Sequence, residues 1–275
     1  MIAIVTDSTI SITREEAERL GVYIVSDHYS VNGRTFLEGF GDENGDFEER
    51  IFREPELCKT SQPPVSSFVQ VFEELRQKDM EVLCIVISSR LSGTYSSACI
   101  AAREVDRAHI AVVDSLSTSG GLWLLAKAAR SLIDAGGSLQ ETAEKLEALR
   151  DKTGIVFSVN DMAALRRSGR LGIVPQSVGT VLNIRPVLMC IKGTIVARGT
   201  ARGTAERVKA LISRVPDNVK EIVVHHLGER ESVEPLYQAV LRRFPNAPVQ
   251  VAKLGPVLGI HLGAGTVGIS WITNW

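Results

Sequence analysis

From Glu81 to Ser88 the chain reads EVLCIVIS, an apolar run without polar alternation, which leads directly into the hydroxyl-rich stretch SSRLSGTYSSA at 88–98. A strand that is apolar on both faces must be covered on both, the condition of a parallel sheet with helices above and below. IAIVT at 2–6 and HIAVVDS at 109–115 have the same character. Helical segments alternate with them. TREEAERLG has a capping box at Thr13 and Glu16 and stops at Gly21, and SLQETAEKLEALRDK has another at Ser138 and Glu141. Strands alternating with helices through residue 150 predict βαβ units and a largely parallel sheet.

Around Lys152 to Gly154 the pattern changes. GIVFSV reads as a strand, DMAALRRSG as a short helix, and IRPVLMCIKGTIVARG as a hairpin about Lys192-Gly193. Further strands and helices follow, with EIVVHH and PVQVAK as strands. The expected fold is α/β with two α/β domains: residues 1–152 with a largely parallel sheet flanked by helices, and residues 153–275 with a mixed sheet. A chain of 275 residues is long enough for two cores.

The formal net charge of −1 gives no global attraction to nucleic acid, and no recognition motif for it is present. Acidic residues dominate 31–81, whereas bases dominate 161–214, so a basic face is expected in the second half. Cys58, Cys84, Cys99 and Cys190 form no CxxC pair, which speaks against a zinc knuckle or a disulfide framework and for a reducing, cytoplasmic setting. The N-terminus reads as a strand, not as a signal peptide. Leu254 to Ile272 lacks charge, but its five glycines, Pro256 and His261 predict strands and turns in place of a membrane span.

The order strand, SSRLSG, helix puts Ser92 and Gly93 at a helix start, where free N–H groups and the helix dipole favour an anion. A serine there can also serve only as a cap. RLSGT is not G-x-S-x-G, so a nucleophile elbow is not indicated. Of the five histidines, His225 and His226 are adjacent on a strand and point to opposite faces, His28 and His109 flank strands, and His261 sits among glycines. The GxGxxG formed by Gly263, Gly265 and Gly268 lies too near the end of the chain to open a dinucleotide-binding helix, and no P-loop occurs. KTSQP at 59–63 is another hydroxyl-rich turn before a helix, and RRSGRLG at 166–172 is a basic, glycine-broken segment suited to a lid or a phosphate contact.

Together, IVTDST, KTSQP, ISSRLSGTYSSA, VVDSLSTSGG, LRRSGRLG, LNIRPVL and GIHLGAG, spread over nearly the whole chain, resemble the DegV family. GFGDENGDFEERIF and the serine of RRSGRLG depart from its usual pattern. The resemblance implies a lipid-binding carrier with no cofactor or metal, holding a long-chain fatty acid between two α/β domains. It also implies that a separate ATP-dependent fatty-acid kinase subunit makes the acyl phosphate for phospholipid metabolism. On this resemblance the carboxylate falls to Thr60, Ser92, the Gly93 backbone and His261, and contact with the kinase subunit to Arg202. The alternative is an acyl hydrolase using Ser92 and His261, with Asp7 or Asp114 as the acid partner.

Overall fold

The computed structural model describes residues 1–160, 162–171 and 184–274. The chain begins with β1 (Ile2–Asp7), α1 (Arg14–Leu20) and β2 (Val22–Val25), then the hairpin β3 (His28–Val31) and β4 (Arg34–Leu37). It continues through α2 (Phe47–Arg53), β5 (Cys58–Ser61), α3 (Val65–Gln77), β6 (Glu81–Val86), α4 (Thr94–Val105), β7 (Ile110–Asp114), α5 (Ser119–Asp134) and α6 (Leu139–Leu149). The second half comprises β8 (Thr153–Ser158), α7 (Ala163–Ser168), β9 (Ile184–Ile191), β10 (Thr194–Arg202), α8 (Gly203–Ile212), β11 (Val219–His226), α9 (Glu234–Arg243), β12 (Val249–Lys253), α10 (Pro256–Leu262) and β13 (Val267–Thr273).

The first sheet, ordered β2-β1-β6-β7, is parallel throughout. EVLCIVIS supplies a central strand whose residues from Val82 to Val86 are all buried, as its unbroken apolar run requires. A six-stranded mixed sheet, ordered β10-β9-β8-β13-β11-β12, is built entirely from residues after Lys152, and only its β11–β12 pair is parallel. A small antiparallel sheet, β4-β3-β5, completes the described strands. Both predicted capping boxes form, with Thr13 and Ser138 each accepting from the N–H three residues on.

Helix α5 joins the two large sheets. Its SGGLWLLAKAA segment is buried almost all round, as a helix enclosed on every side must be. Leu122, Trp123 and Leu125 share one apolar cluster with Ile4 and Leu83 of the parallel sheet and with Val223 and Ile272 of the mixed sheet. The close approach depends on Gly120: a Cβ there would lie 2.4 Å from the His225 ring and 2.7 Å from Val223 Cβ.

In the parallel sheet the chain leaves β1 toward β2 on one side, while β6 leads to β7 on the other. The crevice at the C-terminal ends of such diverging strands is where open α/β sheets bind ligands. Thr9 after β1 and Ile87 to Ser92 after β6 lie there.

Two elements depart from the sequence expectation. KTSQP is not only a turn, since Cys58–Ser61 pairs with β3 as β5. The charge-free tail, expected as strands and turns, opens with the helix α10, which has Pro256 in its first turn and His261 in its last. Gly259 inside it is needed for packing, because a Cβ would sit 2.8 Å from Ile51 Cδ1. Among the described residues no helix is long and apolar enough to cross a membrane.

Candidate functional site

A cavity of about 380 Å³ lies between the crevice of the parallel sheet and the facing side of the mixed sheet, at the low end of the ~300–1,000 Å³ range for small-molecule sites. Ile155, Phe157, Leu165, Val257, Leu258 and Leu262 give it an apolar wall. Along the mixed sheet its lining runs from Ile195 on β10 to His225 on β11. That is a span of four strand spacings, or ~19 Å at ~4.8 Å each.

Near one end, Thr60 and His261 meet across the fold. Thr60 Oγ1 lies 2.8 Å from His261 Nε2, although the residues are 201 positions apart. Pairing of β5 with β3 places Thr60, and the last turn of α10 places His261. His261 Nδ1 is buried with no hydrogen-bond partner among the described residues. Burial, reinforced by the nearby Arg170 charge, lowers the His261 pKa to about 4, so the ring is neutral at neutral pH.

The same end receives the start of α4. Ser92 Oγ lies 2.9 Å from Thr94 Oγ1 and accepts from the Thr94 N–H, so Ser92 bonds the first residue of the helix, whose cap position is Gly93, while lining the cavity. The Ser92 N–H donates to Ser88 O, and the Gly93 N–H has no partner among the described residues. The reason for glycine at 93 is more specific than anion access alone. A Cβ there would fall 2.0 Å from Gln62 Oε1, and Gln62 in turn donates to Ser97 Oγ at 3.0 Å. Gln62 therefore clamps the end of KTSQP over the start of α4, so that Thr60 and Ser92 line the same cavity. Sequence reading passed over Gln62 because nothing in its neighbours marks a contact that spans 35 positions.

Arg170 lines the cavity and donates through Nε to Leu91 O at 3.3 Å and through Nη1 to Ser168 O at 2.5 Å. Part of the RRSGRLG segment thus faces the same end; its Gly172, like Leu182 and Asn183 of LNIRPVL, lies outside the described residues. Arg202 is elsewhere: it is exposed, precedes α8, and donates its backbone N–H to Glu206 Oε2 at 2.8 Å. The expected basic face also loses a member, because Arg207 is buried and donates to Ser158 O and Gly265 O.

The hydrolase arrangement is not assembled. Ser92 bonds Thr94, His261 bonds Thr60, and neither acid candidate reaches the imidazole. Asp7 accepts from the Thr9 and Ile87 N–H groups, and Asp114 from those of Ser89 and Leu116. A nucleophile needs a base within hydrogen-bond reach that is itself oriented.

Two buried acids, Asp27 and Glu38, are not marked in the sequence, and they lie near the buried Asp7. Ser8 Oγ donates to Glu38 Oε2 at 2.7 Å and lies 3.1 Å from Asp27 Oδ2, while Glu38 Oε1 accepts from the Val257 N–H at the start of α10. Burial raises Glu38 to about 7 and raises Asp27 and Asp7 as well, with the neighbouring acids adding to the shift in Asp27. Among the described residues no group of side chains is suited to hold a metal ion.

Comparison with known proteins agrees with this architecture. The model of the family described as "Uncharacterised protein, DegV family" matches residues 1–274. The chain belongs to the DegV family. A DegV domain-containing protein from Halalkalibacterium halodurans is 33% identical over 277 residues, covering 98% of each chain. Among solved structures, a DegV lipid-binding protein from Thermotoga maritima matches with a TM-score of 0.90 at 28% identity, covering 99% of this chain and 98% of that one. A DegV-family protein from Thermus thermophilus, described for its fatty-acid binding, matches at 32% identity and a TM-score of 0.86 over 99% of each chain. DegV from Bacillus subtilis, a fatty-acid-binding protein, matches at 29% identity and a TM-score of 0.88 over 99% of each chain. The α/β class with one parallel and one mixed sheet is thus the DegV architecture.

Proposed function

We propose that this chain is a carrier that holds a long-chain fatty acid in the apolar cavity and presents it to a separate ATP-dependent kinase subunit. The observation that carries the reading is the Thr60–His261 pair in the wall of a cavity that is otherwise largely apolar and that Ser92, next to the helix start at Gly93, also lines. Burial of an acyl chain contributes ~0.8 kcal/mol per CH2. The carboxylate is taken by Thr60, Ser92, the Gly93 N–H and His261.

The pair has a defined polarity in this role. A hydroxyl has one proton, so a Thr60 that donates to the carboxylate must accept from His261 Nε2–H. The bare lone pair then falls on Nδ1, the ring nitrogen without a partner among the described residues. An unpaired acceptor is tolerated in an interior more readily than an unpaired N–H. A neutral ring meets this requirement, and the carboxylate keeps an oxygen for phosphoryl transfer by the partner. Catalysis belongs to that partner. Residues 1–152 and 153–275 act as two α/β units around the cavity, in the cytoplasm, where the four free cysteines stay reduced.

Mass spectrometry of organic extracts of the purified protein tests the reading directly. A co-purified long-chain fatty acid, or saturable binding of added palmitate or oleate, is the expected result; absence of both overturns it. Arg202, exposed and outside the cavity, is assigned to kinase contact. Arg202→Ala should leave fatty-acid affinity within twofold of the parent while lowering acyl-phosphate formation with the kinase subunit about tenfold or more, as for a charged interface anchor. Loss of lipid binding in this variant would instead make Arg202 part of the pocket.

A further inference from the structure

Asp27 lies one residue before β3, and the pairing of that strand carries it to the Thr60 end of the cavity. In the β3–β5 register Tyr29 faces Thr60 and His28 faces Ser61, so the next position, Asp27, falls opposite Gln62. On its other side the Asp27 carbonyl accepts from the Glu38 N–H, which extends the β3–β4 ladder to this residue. Side chains alternate along a strand, which returns Asp27 to the face of Tyr29 and Thr60. Diagonal neighbours across such a pair are ~7–8 Å apart, a gap that one carboxylate bridges with a hydrogen bond of ~2.7 Å to each side. Asp27, Thr60, Gln62 and Ser92 all line the cavity.

The acids behind this position are unequally provided with donors. Asp7 accepts from the Thr9 N–H, the Thr9 hydroxyl and the Ile87 N–H. Glu38 accepts from the Val257 N–H and from Ser8 Oγ at 2.7 Å. Asp27 has only a share in Ser8, whose hydroxyl carries one proton and stands 3.1 Å away. Its second carboxyl oxygen has no hydrogen bond among the described residues, although the residue is only 3% exposed. Burial and the neighbouring Asp7 and Glu38 favour its neutral form. A neutral carboxyl has an O–H to donate, and the cavity is the side on which Asp27 has no partner. Among the other described residues that line the cavity, His225 and His261 are neutral, burial holds the Cys190 thiol protonated, and Arg170 is committed to Leu91 O and Ser168 O.

Resting on the reading of the cavity as a fatty-acid site with the carboxylate at Thr60 and Ser92, we propose that Asp27 is a further carboxylate-binding residue. Its protonated carboxyl donates to the fatty-acid carboxylate, and the two acids share one proton. Two carboxyl groups in one buried site cannot both ionise, so a shared proton is the state in which a second one can enter. The proton is the one Asp27 already holds: the ligand arrives as the anion, and the proton stays with Asp27 when the ligand leaves. An O–H donated to a carboxylate is among the stronger hydrogen bonds available in an interior, and it brings no permanent positive charge into the cavity.

Titration calorimetry of palmitate on the full chain, on Asp27→Asn and on Asp27→Leu tests the assignment. Asparagine offers an N–H in place of the O–H and should keep the affinity within about threefold, whereas leucine should weaken binding about tenfold, the effect of roughly one hydrogen bond. With palmitate labelled with carbon-13 at its carboxyl, the bound resonance on the parent should fall between those of the free acid and the free carboxylate. On Asp27→Asn it should move to the carboxylate position, because an amide donates without sharing its proton. Tighter binding in both variants would make Asp27 a repelling anion, equal affinity in all three proteins would take it out of contact, and a loss in Asp27→Asn as large as in Asp27→Leu would make its role one of shape. Each of these, or a carboxylate resonance on the parent, overturns the assignment while leaving the carrier reading in place. No binding of palmitate by the parent overturns both. If Asp27→Leu does not fold, the two resonances decide.

Discussion

Thr60→Val lowers the affinity for a long-chain fatty acid about a hundredfold, and His261→Ala does the same, with the double variant no weaker than either single one. The magnitude is that of losing a buried donor to a carboxylate while a second buried group loses its partner, about 3 kcal/mol. The non-additivity follows from the 2.8 Å contact between Thr60 Oγ1 and His261 Nε2. In the proposed polarity the hydroxyl can offer its proton to the ligand only because the ring offers its own to the hydroxyl. Removal of either member breaks the same relay, so the second substitution removes nothing further. Titration of palmitate or oleate into the four proteins measures the cycle. Effects that add would mean that Thr60 and His261 contact the ligand independently, and an unchanged affinity would remove the pair from the carboxylate seat.

That contact also marks how far the sequence can be read. His261 stands out by the glycines around it and Thr60 only through the DegV resemblance, while the elements that carry them are not marked locally. β5 is four residues long, its KTS segment lacks apolar alternation, and Pro63-Pro64 follows at once. Its strand conformation comes from pairing with β3, a tertiary cause that local propensity does not contain. α10 is seven residues long with a glycine inside, too short for a helical period to show and with propensity against it. By contrast, the parallel sheet was legible because EVLCIVIS is apolar at consecutive positions, and α1 and α6 because their capping boxes are local. The Lys192-Gly193 hairpin was legible for a similar reason: both turn residues have positive φ, as a two-residue turn of this kind demands.

The acids were hidden in a different way. Glu38 stands in TFLEGFGDE, where nearby acidic residues and glycines read as a solvated loop, and Asp27 stands between two strand segments where a turn residue is expected. Only the packing of β3 and α10 over the crevice buries them, and a sequence does not distinguish a carboxyl facing water from one facing Ser8. The same burial that conceals them makes them consequential.

Glu38→Gln should stabilise the protein at alkaline pH. Glu38 has a folded-state pKa of about 7 against a usual value of 4.5, with burial as the main cause. For a raised carboxyl the contribution is fully present below 4.5 and is lost as the pH rises through 7, because the folded protein must then hold a buried charge that the unfolded chain exposes to water. The difference between the two values corresponds to about 3 kcal/mol above pH 7. Glutamine keeps the geometry: its oxygen can accept from the Val257 N–H, and its amide can donate to Ser8 Oγ, whose proton then turns to Asp27. His225 at about 3 and His261 at about 4 act in the opposite sense, supporting the fold above 6.5 and withdrawing that support as the pH falls. Because parent and variant share them, they cancel in the difference. Urea unfolding of both proteins from pH 4.5 to pH 9 should therefore give curves that coincide at the acid end and separate through pH 7, with the variant more stable. A difference that does not change with pH would show that Glu38 keeps one protonation state throughout. Since Glu38 holds the first turn of α10 and His261 lies in the last, the pH range that strains this carboxyl is also the range in which fatty-acid affinity of the parent should decline relative to the variant.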